Sequence, residues 1–87
     1  MNPEPRRWRI LPRSQLRLRY WDGECVLFHG ASGDTHRLPE LVGHLLECLE
    51  ANPANIDTLV ETVDLHPEDV ERALRELAAL EIVEPAP

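Results

Sequence analysis

Cysteine and histidine side chains occur at two spacings that could bring metal ligands together. Cys25 and His29 lie four residues apart in a segment with strand periodicity, and four strand steps would separate them by roughly 13 Å, beyond chelating distance. His44 and Cys48 lie four residues apart in a segment with helical periodicity, so they could bind one ion together. Two ligands do not make a structural zinc site, which takes four. We therefore predict no metal site and no cofactor.

A small-residue segment, Gly30–Gly33 (Gly-Ala-Ser-Gly), invites comparison with a nucleophilic serine or a phosphate loop. It lacks the Gly-x-Ser-x-Gly spacing of a nucleophile elbow. It also does not precede a helix, which a phosphate cradle requires. The chain has 87 residues, and a domain of this size has a thin core. We therefore predict a binding module rather than an enzyme.

Two alternating segments flank the pair Asp22-Gly23, which predicts a hairpin with a two-residue turn. This turn length sets a register in which Tyr20 faces Cys25 and Leu18 faces Leu27. The apolar face is assigned to the core and comprises Leu16, Leu18, Tyr20, Cys25 and Leu27. The opposite face is too apolar to be fully solvated, so we expect the segment Trp8–Leu11 to lie over it. That face comprises Arg17, Arg19, Trp21, Glu24, Val26 and Phe28.

A short third strand, Thr35–Leu38, follows the small-residue loop and is expected at a sheet edge. The remainder is helical. A first helix opens at Pro39-Glu40, a second follows Asn55 as N-cap, and a third starts at Pro67. Residues 81–84 read as a final extended piece. The predicted fold class is α+β: a three-stranded antiparallel sheet followed by three helices, similar to a winged helix-turn-helix. Residues 1–13 form a partly disordered arm, 14–84 a single domain and 85–87 a tail.

The charge distribution bears on the kind of partner. Residues 1–38 carry seven Arg against four acids, and residues 39–87 carry two Arg against twelve acids. The third helix would be the recognition helix of a helix-turn-helix protein, whose affinity comes largely from cationic contacts to phosphate. Its segment from 66 to 81 has five acids against two Arg, a net −3. DNA binding is thus the alternative, and a protein or peptide partner is preferred.

Two cysteines, Cys25 and Cys48, do not form a disulfide framework, and both lie in apolar-patterned segments. No apolar run is long enough to span a membrane. We therefore predict a cytoplasmic protein without a membrane partner.

The order of hairpin, glycine-containing loop, short strand and three helices resembles the PqqD-like family of peptide chaperones, also described as recognition elements for ribosomally made, modified peptides. The start of the chain, with Trp8-Arg9, Trp21-Asp22-Gly23 and the loop up to His36, is similar to a subgroup associated with an HPr-kinase-related protein. The resemblance covers about residues 8–84. The matching stretches are Leu16–Gly23, Val26–Gly33, Thr35–Leu38, Leu41–Leu49, Ile56–Val63 and Val70–Val83.

The resemblance implies a winged-helix-like domain that binds a precursor peptide as an added strand beside the third strand, against the third helix. The peptide-binding residues would be Thr35, His36, Arg37, Leu38, Arg72, Ala73 and Glu76. Arg37 would select a carboxylate on the peptide, with help from Arg17 and Arg19. The implied partners are the precursor peptide and its modifying enzyme, and no nucleic acid.

Overall fold

The computed structural model describes residues 6–87, which form three helices and six strands in an α+β arrangement with antiparallel sheets. The fold-class prediction is confirmed, although the likeness to a winged helix is loose because a second small sheet is present. The predicted disordered start, residues 1–5, lies outside the described residues. In chain order the elements are β1 (Arg7–Ile10), β2 (Leu16–Trp21), β3 (Glu24–His29), β4 (Asp34–Pro39), α1 (Glu40–Ala51), β5 (Ala54–Asn55), α2 (Ile56–Thr62), α3 (Pro67–Ala79) and β6 (Val83–Pro85).

The larger sheet has the strand order β2-β3-β4. Tyr20 pairs with Cys25 and Leu18 with Leu27, so the predicted hairpin register is confirmed. Asp22 and Gly23 have φ values of 49° and 75°, the positive values that a type I′ turn requires at both central positions. Among the described residues β4 pairs with β3 alone, which confirms that the third strand lies at an edge.

The N-terminal strand β1 does not lie where the sequence suggested. Instead of covering the hairpin, it pairs antiparallel with β5 on one side and with β6 on the other. Arg9 forms an ion pair with Glu84 across the second junction, with 2.7 Å between Nη2 and Oε2, and Trp8 packs against the core. The short extended segments that follow α1 and α3 carry backbone groups that need partners, and β1 supplies them. The sequence predicted neither this sheet nor its two junctions.

The helix boundaries follow local signals. Asn55 caps α2, because its side-chain oxygen accepts a hydrogen bond from the Thr58 backbone N–H at 2.8 Å. Pro67 occupies the first turn of α3, where a missing N–H costs nothing. Both predictions are confirmed. Within residues 6–87, no helix has the length and the apolar character that crossing a membrane requires.

The end of α3 differs from the prediction of an extended piece beginning at residue 81. Glu81 has a φ of 61°. Its N–H donates to the Ala78 carbonyl and the Ile82 N–H donates to the Leu77 carbonyl, both at 3.0 Å. These bonds define a Schellman cap, in which glycine is the usual left-handed residue. The cap turns the chain sharply from α3 into β6.

The core lies between the larger sheet and the helices. The stripe that was predicted to face inward on α3, Val70, Leu74 and Leu77, is buried. Tyr20 lies on the predicted face of the hairpin but remains 38% exposed. Its ring centroid is 5.2 Å from that of His44 on α1. The buried apolar side chains are Cys25, Leu27, Leu45, Leu46, Leu49, Ala54, Leu59, Val63, Val70, Ala73, Leu74, Leu77, Ile82 and Val83.

Candidate functional site

The edge strand β4 divides the four residues that the resemblance assigned to peptide binding. His36 pairs with Leu27 and Leu38 with Cys25, so these two half-buried side chains lie on the face that packs against the helices. Thr35 and Arg37 are exposed on the opposite face, because successive strand residues point to opposite sides. The four residues share an edge but do not share a surface.

Helix α3 presents its three predicted residues next to the end of β4. Ala73 is buried, while Arg72 and Glu76 are exposed. All three line a cleft of about 370 Å³, to which β4 contributes Leu38. The structure thus brings together four of the seven predicted residues. Thr35, His36 and Arg37 do not line this cleft.

Most of the cleft lining is apolar, and its charges lie on α3. Leu80 contributes a side chain that is 37% exposed. Asp69 and Arg72 form an ion pair at 3.7 Å on the same helix. An apolar cleft with a few charged groups is the usual character of a peptide or small-ligand site. The lining residues that were not predicted are Pro39, Val42, Leu65, Asp69, Leu77 and Leu80.

The cleft residues that were not predicted have the sequence features of ordinary core or helix-end positions. Val42 and Leu77 read as inner positions of amphipathic helices, and here they reach the cleft as well as the core. Leu80 is the C-terminal cap residue of α3. Because the chain turns at Glu81, the Leu80 side chain lies against the cleft. A glutamate with positive φ cannot be recognised from the sequence. Leu80 could have been noticed only as a leucine that lies beyond the predicted inner stripe of α3.

The exposed surface of α3 offers little free positive charge. Arg75 forms an ion pair with Glu71 one turn away, and Arg72 pairs with Asp69. Both arginines of the helix that would enter a major groove are therefore next to carboxylates that offset their charge. The acidic first turn, Glu68 and Asp69, adds further repulsion to a phosphate backbone.

The candidate metal and nucleophile positions form no reactive cluster in the described part of the chain. Residues 6–87 contain no group of three or more His, Cys, Asp or Glu side chains placed to hold a metal ion. Burial, with a smaller contribution from Glu47, raises the pKa of the Cys48 thiol, which disfavours the thiolate that a metal needs. Ser32 Oγ lies 3.0 Å from His29 Nδ1, but His29 Nε2 is buried without a partner among these residues. Within residues 6–87, no third group hydrogen-bonds to the imidazole as the carboxylate of a catalytic triad would.

Comparison with protein-family models, with curated proteins and with solved structures finds no significant match to this chain. The resemblance to PqqD-like chaperones, and the function that it implies, therefore stay predictions.

Proposed function

We propose that the chain is a non-catalytic chaperone that captures a precursor (leader) peptide by strand addition beside β4 and presents it to a separate modifying enzyme. The observation that carries the proposal is the apolar cleft between Leu38, at the end of an edge strand, and Ala73 on α3. An edge strand beside such a cleft supplies the two components of strand addition: backbone hydrogen bonds and pockets for side chains.

The alternation of β4 assigns a role to each of its residues. A peptide strand paired with β4 would direct every second side chain toward the cleft, where Leu38 and Leu80 offer apolar contact. The intervening side chains would lie beside Thr35 and Arg37 on the opposite face. A carboxylate there would meet the Arg37 guanidinium, which suits planar, bidentate contact. His36 would contribute mainly its backbone groups.

The buried Ala73 supports close approach of a peptide to α3. It is 7% exposed, and the exposed Arg72 and Glu76 follow one another one turn apart on the adjoining face of α3. A larger side chain at this position would occupy the cleft. Arg72 and Glu76 would then contact the peptide from the helix side, one as a donor and the other as an acceptor.

The proposed location is the cytoplasm, where a peptide and its modifying enzyme would be encountered together. Cys25 and Cys48 are both free thiols, and Cys25 is fully buried. Unpaired cysteines are typical of a reducing compartment. The subgroup that the sequence resembles favours an HPr-kinase-related protein as the enzyme partner.

The test begins with a peptide selected from a displayed library of random short sequences against the immobilised protein. Its affinity is then measured for the parent chain and for Leu80→Glu, which places a charge in the apolar cleft. Ala79→Glu is the matched control, because it adds the same charge at the neighbouring, exposed position of α3. We expect Leu80→Glu to weaken binding roughly tenfold or more, as for a truncated apolar anchor, and Ala79→Glu to leave it nearly unchanged.

Backbone hydrogen exchange locates the added strand. Amides along β4 should become protected when the selected peptide binds, and Arg37→Glu should weaken binding of a peptide with a carboxylate without unfolding the chain. Equal effects of Leu80→Glu and Ala79→Glu on peptide affinity would contradict the proposal. Protection of amides confined to strands other than β4 would contradict it as well. Salt-sensitive binding of duplex DNA, lost on Arg72→Ala and Arg75→Ala, would instead establish the helix-turn-helix alternative.

A further inference from the structure

The larger sheet has a second surface, of which the proposed peptide site uses only the β4 positions Thr35 and Arg37. Helix α1 packs against β3 and β4 on the face that carries Cys25 and Leu27. Among the described residues no helix covers the opposite side, which we call the outer face. By register, its residues are Arg17, Arg19, Trp21, Glu24, Val26, Phe28, Thr35 and Arg37.

Arginine and aromatic side chains adjoin on this outer face. Arg17 is paired with Phe28, and Arg19 lies in one row with Val26 and Arg37. Phe28 is 39% exposed and Trp21 is 75% exposed, an unusually large fraction for a tryptophan. A shallow hollow of about 600 Å³ lies against Arg17, Arg19 and Phe28.

The positive charges of the outer face have no partner within the described chain. Three salt bridges occur in residues 6–87, and none involves Arg17, Arg19 or Arg37. The one carboxylate among the outer-face positions, Glu24, is paired with Trp21 at the hairpin end. The face therefore presents cationic groups whose charge an incoming anionic surface could complement.

The whole-chain charge favours a protein over a nucleic acid as the occupant. Every phosphate of a nucleic acid carries a negative charge. A nucleic acid longer than the outer face would therefore be repelled by the acidic remainder of the chain, whose net charge is −7 as a whole. A protein can confine its carboxylates to the contact. Tryptophan, phenylalanine and arginine are also the side chains enriched in the centre of protein interfaces.

We propose that the outer face docks an acidic surface of a partner protein, with carboxylates on Arg17 and Arg19 and an apolar contact on Phe28 and Trp21. The proposal does not rest on the peptide-binding function, because Arg17, Arg19, Trp21 and Phe28 do not line the cleft beside α3. The two sites meet at β4, where Arg37 borders the outer face and would also contact the peptide. A docked protein that contacts β2 and β3 leaves the β4 edge open to the peptide. A bound peptide would then be held beside whatever protein occupies the outer face.

The test uses a fluorescently labelled synthetic peptide in which pairs of prolines separate the glutamates from one another and from a central leucine. Proline lacks the N–H that strand addition needs, and consecutive prolines remove this donor from both edges of an extended peptide, so the probe is a poor strand for pairing with β4. Its anisotropy is titrated with the parent chain, with Arg17→Glu/Arg19→Glu and with Trp21→Ala. The matched control is Arg6→Glu/Arg75→Glu, which changes the net charge equally but lies against a different hollow, beside α2 and α3. An oligothymidylate with the same number of negative charges is titrated in parallel.

We expect the acidic peptide to bind the parent chain, and the outer-face double variant to bind it roughly tenfold more weakly, from the loss and reversal of two exposed ion pairs. Trp21→Ala should also weaken binding, and the control double variant should resemble the parent chain. Tighter binding of the oligothymidylate than of the peptide would overturn the proposal in favour of a nucleic acid. Absence of peptide binding, or equal losses in both double variants, would overturn it as well.

Discussion

Gly43, the fourth residue of α1, allows the helix to approach the hairpin closely. A Cβ atom at this position would lie 2.7 Å from Cys25 Sγ, 2.9 Å from Cys25 Cβ and 2.8 Å from Tyr20 Cε1. Each distance is well below van der Waals contact between heavy atoms. Cys25 is fully buried in β3 and has little room to move, whereas the partly exposed Tyr20 ring can shift.

Two opposing effects set the stability of Gly43→Ala. Alanine in a helix interior is more favourable than glycine by about 1 kcal/mol. Overpacking a filled site costs about 1–3 kcal/mol, and contact with the fully buried Cys25 side chain places this site toward the upper end. We therefore expect a net loss of about 1–2 kcal/mol in the free energy of unfolding, and a fall in Tm of roughly 5–15 °C for a domain of this size.

The assay is urea unfolding monitored by far-ultraviolet circular dichroism. The dependence of the unfolding free energy on urea concentration should be the same for both chains, so that a difference in midpoint reports a difference in stability. A double-mutant cycle with Cys25→Ala isolates the contact. Because that variant removes Sγ, Gly43→Ala should cost about 1 kcal/mol less in its background. An increase in stability on Gly43→Ala, or a cost that Cys25→Ala leaves unchanged, would refute the close approach of α1 to β3.

Two further predictions concern local stability. Glu81→Gly should raise the free energy of unfolding by about 0.5–1 kcal/mol, because glycine adopts the left-handed φ of this Schellman cap without a Cβ penalty; an unchanged or lower urea midpoint would contradict the cap. Burial, followed by the negative charge of Glu47, raises the pKa of the Glu50 carboxyl. A raised folded-state pKa favours the neutral acid, so its stabilisation is present below the unfolded pKa near 4.5 and is lost as pH rises through the folded value. Glu50→Gln should therefore raise the free energy of unfolding at neutral pH by roughly 0.3–0.5 kcal/mol, a small effect because the residue is exposed and its charge is screened. Below pH 4.5 the substitution should give no increase. An increase that does not depend on pH would show that the charge is not the cause.

Part of the candidate site and part of its surroundings could be predicted from the sequence. Arg72, Ala73 and Glu76 were predicted on α3 and Leu38 on an edge strand, and these four residues meet at one cleft. The residues of β4 were predicted to form a single receiving surface, although strand alternation directs Arg37 to the other face. The alternation was visible in the sequence, but the position of the helices relative to that strand was not.

The residues that close turns and begin helices determined their own local structure. Asp22 and Gly23 accept positive φ, Asn55 offers an oxygen to a free N–H, and Pro67 lacks a donor where none is needed. Each of these effects acts within a few residues, so the hairpin register and the starts of α2 and α3 could be inferred without knowing the rest of the chain.

Only the tertiary structure decided which distant segments meet. β1 pairs with β6, and the Arg9–Glu84 ion pair joins positions 75 residues apart. Backbone hydrogen bonds are the same for every non-proline residue, so a short extended segment does not specify its partner. The choice depends on which strand edges remain unpaired once the helices have packed, and packing also determines that Leu80 borders the cleft and that the outer face stays open.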